Sequence, residues 1–198
     1  RALRAVMMAD GAARVRLERR YRVHGSESGR RRHIEIDVMA RLEGQRIALE
    51  LKYPKARFSG SVLADGEIED FDLLPGGAPD VDAAAFWRDV ERIEWLLAND
   101  VIDSGAAIVL SNYPFWSSDT LKAGTQAHAF RLWGGRSASH EVLSWGDAEN
   151  PEHSPRVLLG SSYECNWLDY SNPIGQSGNA VFKYLALESA APIRALVP

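Results

Sequence analysis

The chain has a single cysteine, Cys165, in 198 residues, so no disulfide can close within it. A reducing compartment, the cytoplasm, is the expected setting. No apolar run approaches the roughly 18–20 residues that a membrane-crossing helix requires, and no signal-peptide pattern opens the chain, so no membrane partner is expected. The first residue is Arg rather than Met, from which a missing or processed native N-terminus is expected. The five histidines are scattered, and with one cysteine no zinc-finger spacing can be built. The phosphate loop G-x-x-x-x-G-K-S/T, the dinucleotide fingerprint and the G-x-S-x-G nucleophile elbow are all absent. There is no internal repeat or low-complexity tract.

What remains is an ordinary globular composition, 45% hydrophobic and 25% charged, in a length suited to one domain. The net charge of −4 does not suggest a nucleic-acid binder, but its distribution is uneven. Residues 1–57 hold 15 Lys and Arg against 7 Asp and Glu, leaving 8 against 20 for residues 58–198. A basic N-terminal part either offers phosphate contacts or pairs with the acidic remainder.

The most informative stretch is 33–55, HIEIDVMARLEGQRIALELKYPK. Ile34, Ile36 and Val38 alternate with His33, Glu35, Asp37 and Met39, and Ile47, Leu49 and Leu51 alternate with Ala48, Glu50 and Lys52. Period-two alternation predicts two half-buried strands, and Leu42-Glu43-Gly44-Gln45 supplies the reversal between them. Side chains two apart share a face. If the apolar sets share one buried face, Asp37, Glu50 and Lys52 meet on the other. Carboxylates so close raise each other's pKa unless a cation lies between them. Mg²⁺ takes one or two carboxylates together with phosphate oxygens, and could generate the nucleophile for phosphodiester hydrolysis. The plain alternative is a solvated strand face whose cross-strand pairs contribute roughly 0.2–1 kcal/mol each.

At these residues the chain resembles the PD-(D/E)XK nuclease superfamily, of restriction-endonuclease-like fold. Asp37, twelve residues, then Glu50-Leu51-Lys52 match its acid, spacer and E-x-K. Ile36 stands where the pattern's proline would be. The resemblance implies Asp37, Glu50 and the Leu51 carbonyl as ligands of Mg²⁺ (or Mn²⁺), with Lys52 positioning the attacking water. Glu18 would be a further acid, although a surface ion pair is the commoner use of such a residue. Arg30, Arg31, Arg32 and Lys55 would contact nucleic acid. His33 points with Asp37 and is read as polar surface.

Along the rest of the chain, 2–9 reads as the end of a helix and 14–23 as a strand. Residues 24–32 and 171–178 read as loops, and 56–80 as a long acidic connection carrying Glu67, Glu69, Asp70 and Asp72. The clearest helix is 82–98, capped by Asp82, with Phe86, Val90, Ile93 and Leu97 as its apolar stripe. Asp89, Arg92 and Glu94 match a D-x-x-R-x-E pattern of some restriction-endonuclease-like proteins, but read as ion pairs on an exposed face. Residues 105–110 read as a buried strand parallel to its neighbour, with Asn112 and Tyr113 at its end as pocket candidates. Short strands are expected at 127–133, 141–145, 156–159 and 163–168, and a strand or helix at 180–188. Trp116, Trp133, Trp145 and Trp167 read as packing residues.

The expectation is therefore one α/β domain over 1–198. Its restriction-endonuclease-like mixed β-sheet is flanked by helices, with a motif core at about 12–112 and a β-rich C-terminal extension at about 113–198. The expected activity is Mg²⁺-dependent hydrolysis of nucleic acid, DNA foremost, with a homodimer if both strands are cut. The alternative is a catalytically silent module on the same fold that binds nucleic acid or protein.

Overall fold

Glu43 and Gly44 both adopt left-handed backbone, φ 50° and 85°, the geometry of a two-residue hairpin. They join β2 (Arg32–Leu42) to β3 (Gln45–Lys52) where the alternation predicts the reversal. The computed structural model describes residues 14–23, 32–64, 67–119, 127–145, 156–171 and 178–190. The readings at 2–9, Arg30 and Arg31, most of 24–32, and 172–177 lie outside these. The remaining elements are β1 (Arg14–Val23), β4 (Phe58–Ala64), β5 (Glu67–Leu73), α1 (Pro79–Ala98), β6 (Ser104–Ser111), α2 (Pro114–Ser117), β7 (Ser137–Ser139), β8 (Val142–Ser144), β9 (Arg156–Leu158), β10 (Ser162–Glu164), β11 (Leu168–Ser171) and β12 (Phe182–Ala190). The fold is mixed α/β and mostly strand.

A six-stranded sheet runs β1-β2-β3-β6-β12-β11. All neighbours are antiparallel except β3 and β6, which are parallel. A parallel pair needs a crossover, and this one contains the β4–β5 hairpin followed by α1. The stretch 56–80 is thus not a plain loop: Phe58 to Ala64 pairs with Glu67 to Leu73. Its alternation is hidden by acids on β5, one of which, Asp70, accepts a 2.6 Å hydrogen bond from Ser61 Oγ.

α1 begins three residues before Asp82. Ala78 is the N-cap and Pro79 takes the first turn, where its missing N–H costs nothing. The helix buries Phe86, Trp87, Val90, Ile93 and Leu96 in the core, while Leu97 is only partly buried. Gly105 permits this approach: a Cβ there would stand 2.7 Å from Ile93 Cγ2 and 3.0 Å from the Ala48 carbonyl oxygen.

The C-terminal part supplies β11 and β12 to the same sheet. Two further ladders, β7–β10 and β8–β9, cover the other side of α1. Glu91 Oε1 accepts from Leu158 N at 2.9 Å, and Glu94 accepts from Gly160 N at 2.8 Å and from Tyr163 OH at 2.7 Å. One core cluster runs from Ile36 and Ala48 through Trp87 to Leu143, Val157, Tyr163 and Cys165. The stretch 127–133 is not a strand: His128–Phe130 is a 3-10 turn, set where Trp87 Nε1 donates to the Phe130 carbonyl at 3.0 Å. In 163–168, strand occupies only the ends, within β10 and β11. The segment 180–188 is strand from Phe182 onward, within β12, and Ala180 ends a 3-10 turn. Among the described residues no helix is long and apolar enough to cross a membrane.

Candidate active site

The strand face that carries the charged residues is the covered one. Ala48 and Glu50 look toward α1, and Glu50 is only 3% exposed. Leu49 and Leu51 look the other way, and Leu51 is 42% exposed, beside a groove shared with Ile108, Leu110 and Tyr184. The expected single apolar face of β2 is likewise absent. Ile34 and Ile36 belong to the core under α1, whereas Val38 and Ala40 pack with Val15 on the opposite side. The face therefore changes at Asp37. Across from it on β1 lies Glu18 at φ 52°, and the ladder skips that pair, running Leu17↔Val38 and then Arg19↔Ile36.

Asp37 stands at this bend. The β2–β3 ladder ends at Val38↔Leu49, and beyond it side chains take over the hydrogen bonding. Asp37 Oδ2 accepts from Leu51 N at 2.8 Å, and Asp37 N donates to Glu50 Oε2 at 3.4 Å. The two acids are thereby tied to one another through the backbone.

Lys52 reaches past this pair to α1, where its Nζ stands 2.8 Å from Asp89 Oδ2. Arg92 Nη2 donates to Asp89 Oδ1, Nη1 donates to the Glu35 carbonyl at 3.0 Å, and Nη1 lies 2.9 Å from Glu50 Oε1. That last approach is not aligned for donation, so Glu50 Oε1 is buried without a hydrogen-bond partner. The reading of Asp89 and Arg92 as an exposed ion pair is overturned: Asp89 is 2% exposed. The signal lay in the spacing. Asp89 falls three residues after Phe86 and four before Ile93, inside the apolar stripe itself. Glu94, the third member of that pattern, faces the C-terminal ladders instead.

The cluster sets three carboxylates, Asp37, Glu50 and Asp89, against two cations, Lys52 and Arg92. Burial drives the Glu50 pKa up to about 8, with Arg92 opposing and the charges of Asp89 and Asp37 adding to the rise. Burial also raises Asp89, against the pull of Arg92 and Lys52. One carboxylate in excess can be answered by a proton on Glu50 or by a cation. Among the described residues no three His, Cys, Asp or Glu side chains group to hold a metal unaided. Mg²⁺ does not need three, since it keeps waters and takes substrate oxygens. The orphaned Glu50 Oε1, the second oxygen of Asp37 and the Leu51 carbonyl are the hard donors that such an ion takes, so the residues fit it.

The other sequence candidates are not drawn into this cluster. Glu18 is exposed and makes no ion pair with a described residue. Lys55 Nζ lies 5.6 Å from the centre of the Tyr53 ring. Arg32 opens β2, and neither its side chain nor that of His33 is described. Asn112 is a buried structural tie, accepting from Ala56 N at 2.9 Å and donating to the Asn179 carbonyl at 2.7 Å. Tyr113 packs on Phe115. No family model, no curated protein and no solved structure matches the chain.

Proposed function

We propose that the chain is a nuclease of restriction-endonuclease-like type that hydrolyses phosphodiester bonds in nucleic acid, DNA foremost, with Mg²⁺ or Mn²⁺. One observation carries the reading: Asp37 and Glu50 are tied edge to edge where two strands diverge, with the Lys52 amine on the same strand face as Glu50. When bound, the ion would polarise the phosphoryl oxygen and lower the pKa of a water. Asp37, Glu50 and the Leu51 carbonyl would hold it. Lys52 has three N–H donors. One is committed to Asp89, which aims the amine, and the others are available to a water or a phosphate oxygen. Arg92 fixes Asp89 in turn. The water oxygen adds to phosphorus and gives up a proton to solvent, the bond to the leaving oxygen breaks, and that oxygen takes a proton from solvent to leave as an alcohol.

Plasmid cleavage with added Mg²⁺ or Mn²⁺ tests this. Asp37→Asn and Lys52→Ala, both folded, lose about 10²–10⁴ in rate. Cleavage that survives both substitutions sinks the reading.

A second reading, the silent binding module, is favoured by one contact. The Arg92 guanidinium stands 2.9 Å from Glu50 Oε1, where it supplies positive charge without an ion. Titration with Mn²⁺ by calorimetry separates the two. A nuclease binds Mn²⁺ in the native chain and loses it in Glu50→Gln, whereas the silent module shows no Mn²⁺ heat in either.

A further inference from the structure

Arg14 on β1, Arg41 on β2 and Arg46 on β3 stand directly opposite one another in the ladders, Arg14↔Arg41 and Arg41↔Arg46. Like charges placed in cross-strand register are destabilising, and neighbouring strands are only about 4.8 Å apart. Arg46 is answered by Asp103, through contacts of 2.7 and 3.0 Å. Arg14 and Arg41 are exposed and make no ion pair with a described residue.

The left-handed residue Glu18 enlarges the cluster. A straight strand would turn Arg19 and Tyr21 away from Arg14 and Arg16. The shift of parity at Glu18 brings all four to the same side. Together with Arg41 and Arg46 they line a cleft of about 410 Å³ floored by Met39 and Val101. Tyr21 is half-buried there, and the Arg19 guanidinium lies 4.8 Å above its ring, which holds that charge in place. Met39 and Val101 belong to the α1 side of the sheet, the side on which Glu50 and Lys52 project. Along β3, Arg46 and Glu50 are four residues apart, about 13 Å.

We infer that this arginine cleft is the docking site for the phosphate backbone of a nucleic-acid duplex. Forked donors in register on neighbouring strands, with Arg14 and Arg41 in no ion pair among the described residues, match consecutive phosphates. Its position on the face of the acid cluster places a bound backbone within one short span of Glu50. The choice of a nucleic-acid ligand rests on the nuclease reading. The charge row does not.

The test is binding of a fluorescent DNA duplex by anisotropy in EDTA, so that no cleavage enters, over a series of NaCl concentrations. Each phosphate contact contributes about 0.9 to the slope of log K against log salt. Arg14→Gln with Arg41→Gln is expected to lower that slope by about 1.8, and to weaken binding at 0.1 M salt by roughly tenfold per arginine removed. The same double variant is expected to melt no lower than the native chain, because two opposed charges are gone, and to raise KM for plasmid with kcat unchanged. Arg88→Gln, at an exposed arginine of α1 outside the cleft, is expected to bind as the native chain does. An unchanged slope and affinity in the double variant overturns the inference while leaving the cleavage reading intact. Binding to phosphatidylserine vesicles with none to duplex also overturns it.

Discussion

Glu50 is an ionisable group held beneath a helix with one oxygen lacking a hydrogen bond. Its pKa of about 8 stands above the ordinary 4.5. Between those two pH values the folded chain keeps a proton that the unfolded chain has lost, so stability falls as pH rises through this window. The contribution is whole below about pH 4.5 and gone above about pH 8. Urea unfolding at pH 5, 7 and 9 is expected to show this decline, and Glu50→Gln is expected to flatten most of it, with a residual slope from Asp89. Mg²⁺ at pH 9 raises the melting temperature of the native chain by mass action and leaves Glu50→Gln unmoved. The same scale governs Asp89. Asp89→Asn strips Lys52 and Arg92 of their shared acid, and breaking a buried pair on one side costs about 3–5 kcal/mol. Thermal unfolding reads that loss, and plasmid cleavage is lost with it because Lys52 is no longer aimed.

At the scale of elements, the site is a contact between β3 and α1, and its precision depends on how closely they pack. Gly105 sets that distance on the neighbouring strand β6. Gly105→Ala forces a methyl against Ile93 and the Ala48 carbonyl, and overpacking of this kind costs about 1–3 kcal/mol. In a chain of this size each kcal/mol lowers the melting temperature by about 2–4 °C, so a drop of several degrees is expected by calorimetry. Much at this scale is legible in the chain itself. The β2–β3 reversal, the end of β3 before Tyr53-Pro54, the strand β6 parallel to β3 and the stripe of α1 all follow from local periodicity and turn chemistry. The β4–β5 hairpin does not, because its acids obscure the alternation. Neither does the turn at His128–Phe130, whose apolar residues are placed by contacts with α1 rather than by a period of their own.

Across the whole molecule, α1 lies between two layers that come from distant parts of the chain. The sheet is completed by β12, with Leu185 and Leu187 in the core, and the far side of the helix is closed by Leu143, Val157 and Tyr163. A chain ended at residue 119 retains Asp37, Glu50, Lys52, Asp89 and Arg92 but leaves β6 as a sheet edge and α1 bare on one side. Such an apolar edge invites self-association. Size-exclusion chromatography is expected to show aggregate, and circular dichroism no cooperative melting transition. Monomeric, cooperatively folding truncated chain would show instead that the site stands on the first half alone.

The sequence by itself determined that Asp37, Glu50 and Lys52 lie on adjoining strands, with Glu50 and Lys52 on one face, since alternation and a two-residue turn are local matters. Only the tertiary structure decided which face is covered. Alternation says which side chains travel together, not on which side a helix will settle, and here α1 settled on the charged side. That choice buried Glu50, brought in Asp89 and Arg92 from 39 and 42 residues away, and made the acids a coupled cluster. The register of three strands, with the break at Glu18, likewise gathered arginines that are scattered along the chain into one cleft, because cross-strand neighbours are set by pairing and not by sequence distance.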